Sequence, residues 1–409
     1  MLRVIHTADW HLGHTLYDYD RSAEHQRFLD WLVLELDHRA VDVLLIAGDV
    51  FETANPPVSA LRQWYSFLAK ATARCPKLEI VAIGGNHDSA ARLDAPEPLL
   101  SKRVHVIGGL PRRNGRELHM ERMVLPLHNA KGICEAWIAA IPYLRVSDLP
   151  RVSRVGDQVL TDGVHQLHKQ IFERLFNKAQ AGQATLAMGH LYMQNATLSP
   201  DSERKVLGGN QNPLAKDLFP DRLAYVALGH LHYAQEVGRE SIRYSGSPIP
   251  LSMTERNYMH QVVVLQIQDG ELKELDHIPI PRSVRMIRLP DDGYLPLEPL
   301  LKRIAELPDR DLAAKNLPYL ELRVSLPSPE PTLRTQIEGA LESKAVRLLA
   351  VRTEYTGGGK ALADHSDELG LLEPEQVFRR AWQRAFEGAI PEEILAGFHE
   401  LIELAEQEQ

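Results

Sequence analysis

The sequence predicts an α/β layered domain followed by a smaller second unit. In the first half, short apolar runs without polar alternation end abruptly in Gly, Asp, Asn or His, and helical patterns lie between the early ones. Strands buried on both faces, with helices covering them, read this way. Later the pattern changes to strands in succession, and then a β-α-β-α-β run fills 284–355.

The buried strands are expected at 2–7, 41–47, 78–83, 136–141, 184–188 and 223–228. The segment 22–39 carries Phe28, Leu29, Leu32, Val33 and Leu36 on one helical side. The segment 57–73 carries Val58, Leu61, Trp64, Tyr65 and Leu68, with Pro57 suited to its first turn. Strands follow at 242–245, 261–266 and 272–278, and Gln268-Asp269-Gly270 reads as a hairpin turn between the last two. The large domain is therefore expected to span 1–281 and the small one 282–356.

Gly357-Gly358-Gly359-Lys360 opens a flexible linker at 357–374. It is not a phosphate-binding loop. The required first glycine is Glu354, and Ala361 stands where Ser or Thr is needed. Any ATPase activity must come from another chain. Two amphipathic helices are expected in 375–409, one with Phe378, Trp382 and Phe386, the other with Leu395 and Phe398. Such stripes either fold back on the body or dock a partner.

The chain has 409 residues, with 44% hydrophobic and 25% charged, an ordinary soluble balance. The net charge of -9 lacks the basic footprint of a nucleic-acid binder. Two cysteines are too few for a disulfide framework. The start of the chain reads directly into a strand, with no signal segment and no apolar run of spanning length. A cytoplasmic protein with no membrane partner is expected.

Five clusters sit just past expected strand ends: Asp9-Trp10-His11, Gly48-Asp49, Gly85-Asn86-His87-Asp88, Gly189-His190 and Gly229-His230-Leu231-His232. Ligands gather beyond the carboxyl ends of strands in open α/β sheets. Residues two apart on extended backbone point the same way, so Asp9 with His11, and His230 with His232, each offer a pair of donors. Any one cluster alone is weak; all five in order are not. Carboxylate, amide and imidazole donors without thiolate suit Mn²⁺ or a similar ion better than structural zinc. So many ligands need two ions, with Asp49 the candidate bridge, and two ions roughly 3.5–4 Å apart suit displacement at phosphorus.

The cluster order resembles the calcineurin-like metallophosphoesterase superfamily. The segments His6–Gly13, Gly48-Asp49-Val50-Phe51 and Tyr244-Ser245-Gly246-Ser247-Pro248 sharpen the likeness, which is to the nuclease subunits of bacterial SbcCD complexes. The resemblance covers nearly the whole chain. It implies a four-layer α/β/β/α sandwich, a small α+β capping domain and a C-terminal helix pair. It implies that Asp9, His11 and His232 hold one ion, that Asn86, His190 and His230 hold the other, and that Asp49 bridges. His87 would face the scissile phosphate, with Asp88 orienting it. Glu52 stands where the family often has Asp, which should change a local hydrogen bond and lose no metal.

By the same resemblance the chain would be a Mn²⁺-dependent DNA nuclease, an exonuclease on duplex ends and an endonuclease on single strands and hairpins. Its partner would be an SbcC-type ATPase, bound through Phe378, Trp382, Phe386, Leu395 and Phe398. It would act at the nucleoid, as a homodimer within a heterotetramer, pairing through 22–39 and 57–73, where Trp31, Trp64 and Tyr65 either offer aromatic surface or belong to ordinary core helices. Two divalent ions would offset the acidic net charge at the site. Two rivals remain: a phosphatase or cyclic-nucleotide phosphodiesterase with the same site, and a non-catalytic scaffold. The second predicts missing ligands, and none is missing.

Overall fold

The computed structural model describes residues 1–114, 117–145, 148–149, 157–199, 213–310, 316–356 and scattered positions from 375 to 399. Two compact units emerge, Met1–Arg282 and Ser283–Gln409.

The larger unit is built on two six-stranded sheets. In chain order the sheet strands and the three long helices are β1 (Leu2–Thr7), α1 (Ser22–His38), β2 (Val43–Ala47), α2 (Val58–Arg74), β3 (Glu79–Ile83), β4 (Val104–Ile107), β5 (Val124–His128), β6 (Cys134–Ala140), α3 (Asp157–Lys178), β7 (Ala184–His190), β8 (Tyr225–Gly229), β9 (Gln235–Val237), β10 (Arg239–Tyr244), β11 (Gln261–Gln268) and β12 (Glu271–Pro279). The first sheet runs β12-β11-β1-β2-β3-β4 and the second β9-β10-β8-β7-β6-β5.

The layers follow from the side-chain period of two. Along β2, Val43, Leu45 and Ala47 join a core with Ile138, Leu186, Met188, Val226 and Leu228 of the facing sheet. Leu44 and Ile46 join the other core, with Phe28, Leu32, Trp64 and Phe67 of α1 and α2. Val164, Leu167, Ile171 and Leu175 of α3 belong to the first core from the far side. The result is an α/β/β/α sandwich. Parallel pairing of β1, β2 and β3, and of β6, β7 and β8, puts their carboxyl ends at one edge. The β11–β12 hairpin turns at Asp269 and Gly270, both with positive φ (+54° and +80°), the backbone of a type I′ turn.

The aromatic surface expected on the early helices is partly wrong. Trp64 is only 2% exposed. Its ring packs edge-on against Trp10 at 5.7 Å and Phe51 at 6.4 Å, so burial, not display, is its role.

Among its described residues the smaller unit has four strands, β13 (Met286–Leu289), β14 (Leu295–Pro296), β15 (Tyr319–Leu326) and β16 (Arg347–Tyr355), with α4 (Leu297–Ala305) and α5 (Leu333–Leu341). All pairings to β15 are parallel. Leu320, Leu322 and Val324 pack with Leu300, Ile304 and Ile337 of the helices. Further along, Phe378 and Phe398 stack at 4.1 Å between ring centroids, so the two C-terminal helical segments pair with each other. Leu395 and Trp382 are half-buried; Phe386 lies outside the described residues. Among the described residues no helix is long and apolar enough to cross a membrane.

Candidate metal centre

Five strand ends of the larger unit bring the expected donors together. Loops after β1, β2, β3 and β8 supply Asp9 and His11, Asp49, Asn86, and His230 and His232, while His190 closes β7. The two leading loops are stitched backbone to backbone: Asp9 N–H donates to the Gly48 carbonyl at 3.0 Å and His11 N–H to the Asp49 carbonyl at 3.0 Å.

The backbone is unusual at these points. Asp9, His11, Asp49 and His230 have φ of +54°, +46°, +48° and +101°. Left-handed φ at non-glycine residues stores strain, which persists where surrounding structure enforces it. Space is equally tight. A Cβ on Gly48 would lie 2.2 Å from His190 Nδ1, and one on Gly229 would lie 1.8 Å from the Ala47 carbonyl oxygen. Glycine at these positions is a requirement of close approach.

Two donor groups flank Asp49. In one, ligand atoms of Asp9, His11 and His232 lie within 4.8 Å of one another. His11 Nε2 is 3.5 Å from Asp49 Oδ2. In the other, Asn86 Oδ1 is 2.9 Å from His190 Nε2 and 3.0 Å from His230 Nδ1, and His190 Nε2 is 3.4 Å from Asp49 Oδ2. Asp49 Oδ2 thus stands between the two groups. Asp9 Oδ2 and His11 Nε2 are buried without a hydrogen-bond partner among the described residues. Buried orphans are costly, and a divalent cation satisfies both. The donor set fits two such ions.

Electrostatics point the same way. Burial pushes the Asp9 carboxyl up to about 7. Burial also works on Asp49, but facing His190 and His87 overcome it and hold Asp49 well below the carboxylate range. Burial opposes charge on His190, yet Asp49 raises it to about 9. Burial and the neighbouring His190 charge lower His230 to about 3. Without ions, a protonated His190 therefore compensates Asp49. A cation held there would displace that proton.

His87 is half-buried. It donates Nδ1–H to the Glu52 carbonyl at 2.7 Å, and its backbone N–H donates to Asp49 Oδ1 at 2.9 Å. Asp88, expected to orient His87, is not hydrogen-bonded to the His87 ring among its described side-chain contacts. Asp88 accepts instead from the backbone N–H groups of Gly85 at 2.9 Å, Val50 at 3.1 Å and Phe51 at 2.9 Å. It buckles the β2 and β3 loops together, and burial lifts its pKa to about 6.

Glu52 takes part in the site's hydrogen bonding: His11 Nδ1 donates to its Oε2 at 2.9 Å. Glu255 was missed by sequence reasoning. It is fully buried and accepts from His232 Nδ1 at 2.9 Å. Its neighbours carry no ligand spacing, and only folding of the turn after Ser247 brings it to His232. Arg21, also fully buried, donates to the Pro250 carbonyl at 2.9 Å and so ties the start of α1 to that turn.

Comparison with known proteins places the chain in a family. The calcineurin-like phosphoesterase family matches residues 2–234, and the type 5 capsule protein repressor C-terminal domain matches residues 282–386. The D subunit of the SbcCD nuclease of Rhodobacter capsulatus is 39% identical over 93% of this chain and 94% of its own length. That of Escherichia coli K12 is 29% identical over 93% and 92%, and that of Bacillus subtilis 168 is 34% identical over 66% and 67%. The chain belongs to the calcineurin-like phosphoesterases, metal-dependent phosphodiesterases, in the branch of the SbcD-type nucleases.

Proposed function

We propose that this chain is a two-metal DNA nuclease acting as a Mn²⁺-dependent exonuclease on duplex ends and an endonuclease on single strands and hairpins. The observation that carries the reading is Asp49 Oδ2 standing 3.5 Å from His11 Nε2 and 3.4 Å from His190 Nε2, between two donor groups. Asp9, His11 and His232 would hold one ion, Asn86, His190 and His230 the other, and Asp49 both. When bound, the ions supply Lewis acidity that polarises a phosphodiester and promotes attack by water.

The chain's own contribution is orientation. His190 gives its Nδ1–H to the Ala47 carbonyl at 2.9 Å, which fixes Nε2 toward the centre. His87 keeps its Nδ1 on the Glu52 carbonyl, leaving Nε2 for the substrate phosphate or its leaving oxygen. Asp88 acts through the loops, holding Asn86 and His87 in place.

On this reading residues 1–281 are the nuclease domain, 282–356 the capping domain and 357–374 a linker. The helices in 375–409 would bind an SbcC-type ATPase; the paired rings of Phe378 and Phe398 support a preformed apolar contact there. A second copy would pair near α1 and α2. Support comes from a groove of about 580 Å³ lined by Tyr65, Leu68, Leu99 and Leu100, with Leu99 89% exposed.

The test is end-labelled duplex, single-stranded DNA, a chromogenic phosphodiester and a monoester, each with Mn²⁺ and with or without the ATPase partner and ATP. DNA cleavage exceeding monoester hydrolysis, abolished in His87→Ala with both ions retained, is expected. Faster monoester turnover would favour a phosphatase.

A further inference from the structure

The two groups of donors are not equivalent in what stands behind them. His11 gives its outer N–H to Glu52 Oε2 at 2.9 Å, and His232 gives its outer N–H to Glu255 Oε1 at 2.9 Å. Glu255 is itself fixed, since its other oxygen accepts from Leu251 N–H at 2.8 Å and from the Ser247 hydroxyl at 3.4 Å. In the opposite group, His190 gives its outer N–H to the neutral Ala47 carbonyl at 2.9 Å. Asn86 and His230 add no negative charge.

A carboxylate behind a ligating imidazole fixes its tautomer, aims its free lone pair and raises its basicity. The group with Asp9 therefore has a carboxylate besides Asp49 and two carboxylate-backed imidazoles. The group with Asn86 has neutral donors alone besides the shared Asp49. Coulomb attraction for a dication is stronger at the first, and in this buried setting it is weakly screened.

Resting on the two-ion reading above, we infer that the ion of Asp9, His11 and His232 binds first and tightly, the ion of Asn86, His190 and His230 binds second and exchanges, and Glu52 and Glu255 are the positioning residues that set this order. The nuclease would then carry one resident ion and gain its second from the medium, so that activity follows free Mn²⁺ through the weaker site.

The experiment is calorimetric titration of the metal-free full-length chain with Mn²⁺, read in parallel by electron paramagnetic resonance. Two binding classes, one ion each and at least about tenfold apart, are expected, with the spectrum of an isolated ion at one equivalent. Glu52→Gln and Glu255→Gln should each weaken the tight class about 10–100-fold and leave the weak class in place. Asn86→Ala should remove the weak class and spare the tight one. Glu52→Asp, which restores the carboxylate, should recover most of the loss. The Glu52 side chain is 22% exposed, so its variants test the idea even where burial makes Glu255→Gln misfold. Two ions of equal affinity, or Glu→Gln variants that weaken the Asn86 class instead, would overturn the ordered filling while the two-ion reading stood. Binding of fewer than two ions by the parent chain would overturn the two-ion reading itself.

Discussion

Replacing Gly85 by alanine tests how far the centre depends on close packing between loops. A Cβ at this position would stand 2.1 Å from Asp49 Oδ1 and 2.4 Å from the Asp49 backbone nitrogen. Real Cβ atoms essentially never come under 3.0 Å, so the main-chain contact alone requires the loops to part by about 0.6 Å. Rotating the Asp49 side chain relieves only the first contact; the second involves main chain. Overpacking of this kind costs about 1–3 kcal/mol of stability, which for a unit of this size lowers Tm by roughly 2–10 °C. The catalytic cost should be larger in proportion. Displacing a reacting group by about 1 Å costs on the order of 100-fold, or about 2.7 kcal/mol in the barrier. The assay is kcat/KM on a chromogenic phosphodiester with saturating Mn²⁺, beside metal content and thermal melting. Gly132→Ala is the control. Its φ is also positive, at +76°, but nothing lies within 4 Å of the added carbon. That variant should lose about 1 kcal/mol of stability and no activity. A Gly85→Ala chain with the parent's kcat/KM and metal content would refute the packing argument.

Three further outcomes follow from residues away from the ions. Gly339, exposed in α5 with nothing within 4 Å of an added methyl, should tolerate Gly339→Ala with a gain of about 0.5–1 kcal/mol in urea unfolding. His168 is held at about 4 by burial, against 6.5 for a free histidine. The unfolded chain therefore binds the extra proton first, and stability is lost as pH falls from 6.5 to 4, by roughly 3 kcal/mol in all. Urea titrations of metal-free protein at pH 7 and pH 5 should show roughly 2 kcal/mol of that loss, and His168→Gln should show a smaller one. Deleting residues 375–409 should abolish co-purification with an SbcC-type ATPase and leave basal phosphodiesterase activity; a truncated chain still held by the partner would refute the docking role of the helix pair.

Much of the fold was legible because burial on both faces leaves a plain record. Runs such as 41–47 and 184–188 have no polar interruption beyond a single residue, and each locates its strand within two residues of β2 and β7. What escaped had a weaker signature. The helix α3 carries His168 on its buried stripe beside Phe172, and an imidazole there breaks the apolar period that marks a helix. Strand β4 is only four residues, Val104–Ile107, with His105 inside it. Trp64 misled because an aromatic on an amphipathic helix reads the same whether it is displayed or clasped between Trp10 and Phe51. At the site, the ligand types and their places just past strand ends were visible, since preceding glycines are local features; the pairs Asp9 with His11 and His230 with His232 lie on backbone with left-handed φ at Asp9, His11 and His230, not on the extended backbone expected of them. Glu255 was not, because its tie to His232 spans 23 residues and depends on a turn that sequence spacing does not encode. Asp88 was visible as a residue but not as a role: its partners are backbone amides, which carry no sequence label.

The central claim is a pair of cations sharing Asp49, and a Mn²⁺-soaked crystal with anomalous difference density tests it most directly. Two peaks roughly 3.5–4 Å apart, with the Asp49 carboxylate between them and Asp9, His11 and His232 on one side facing Asn86, His190 and His230 on the other, are the predicted result. A single peak, or two peaks with Asp49 touching neither or only one, would contradict it.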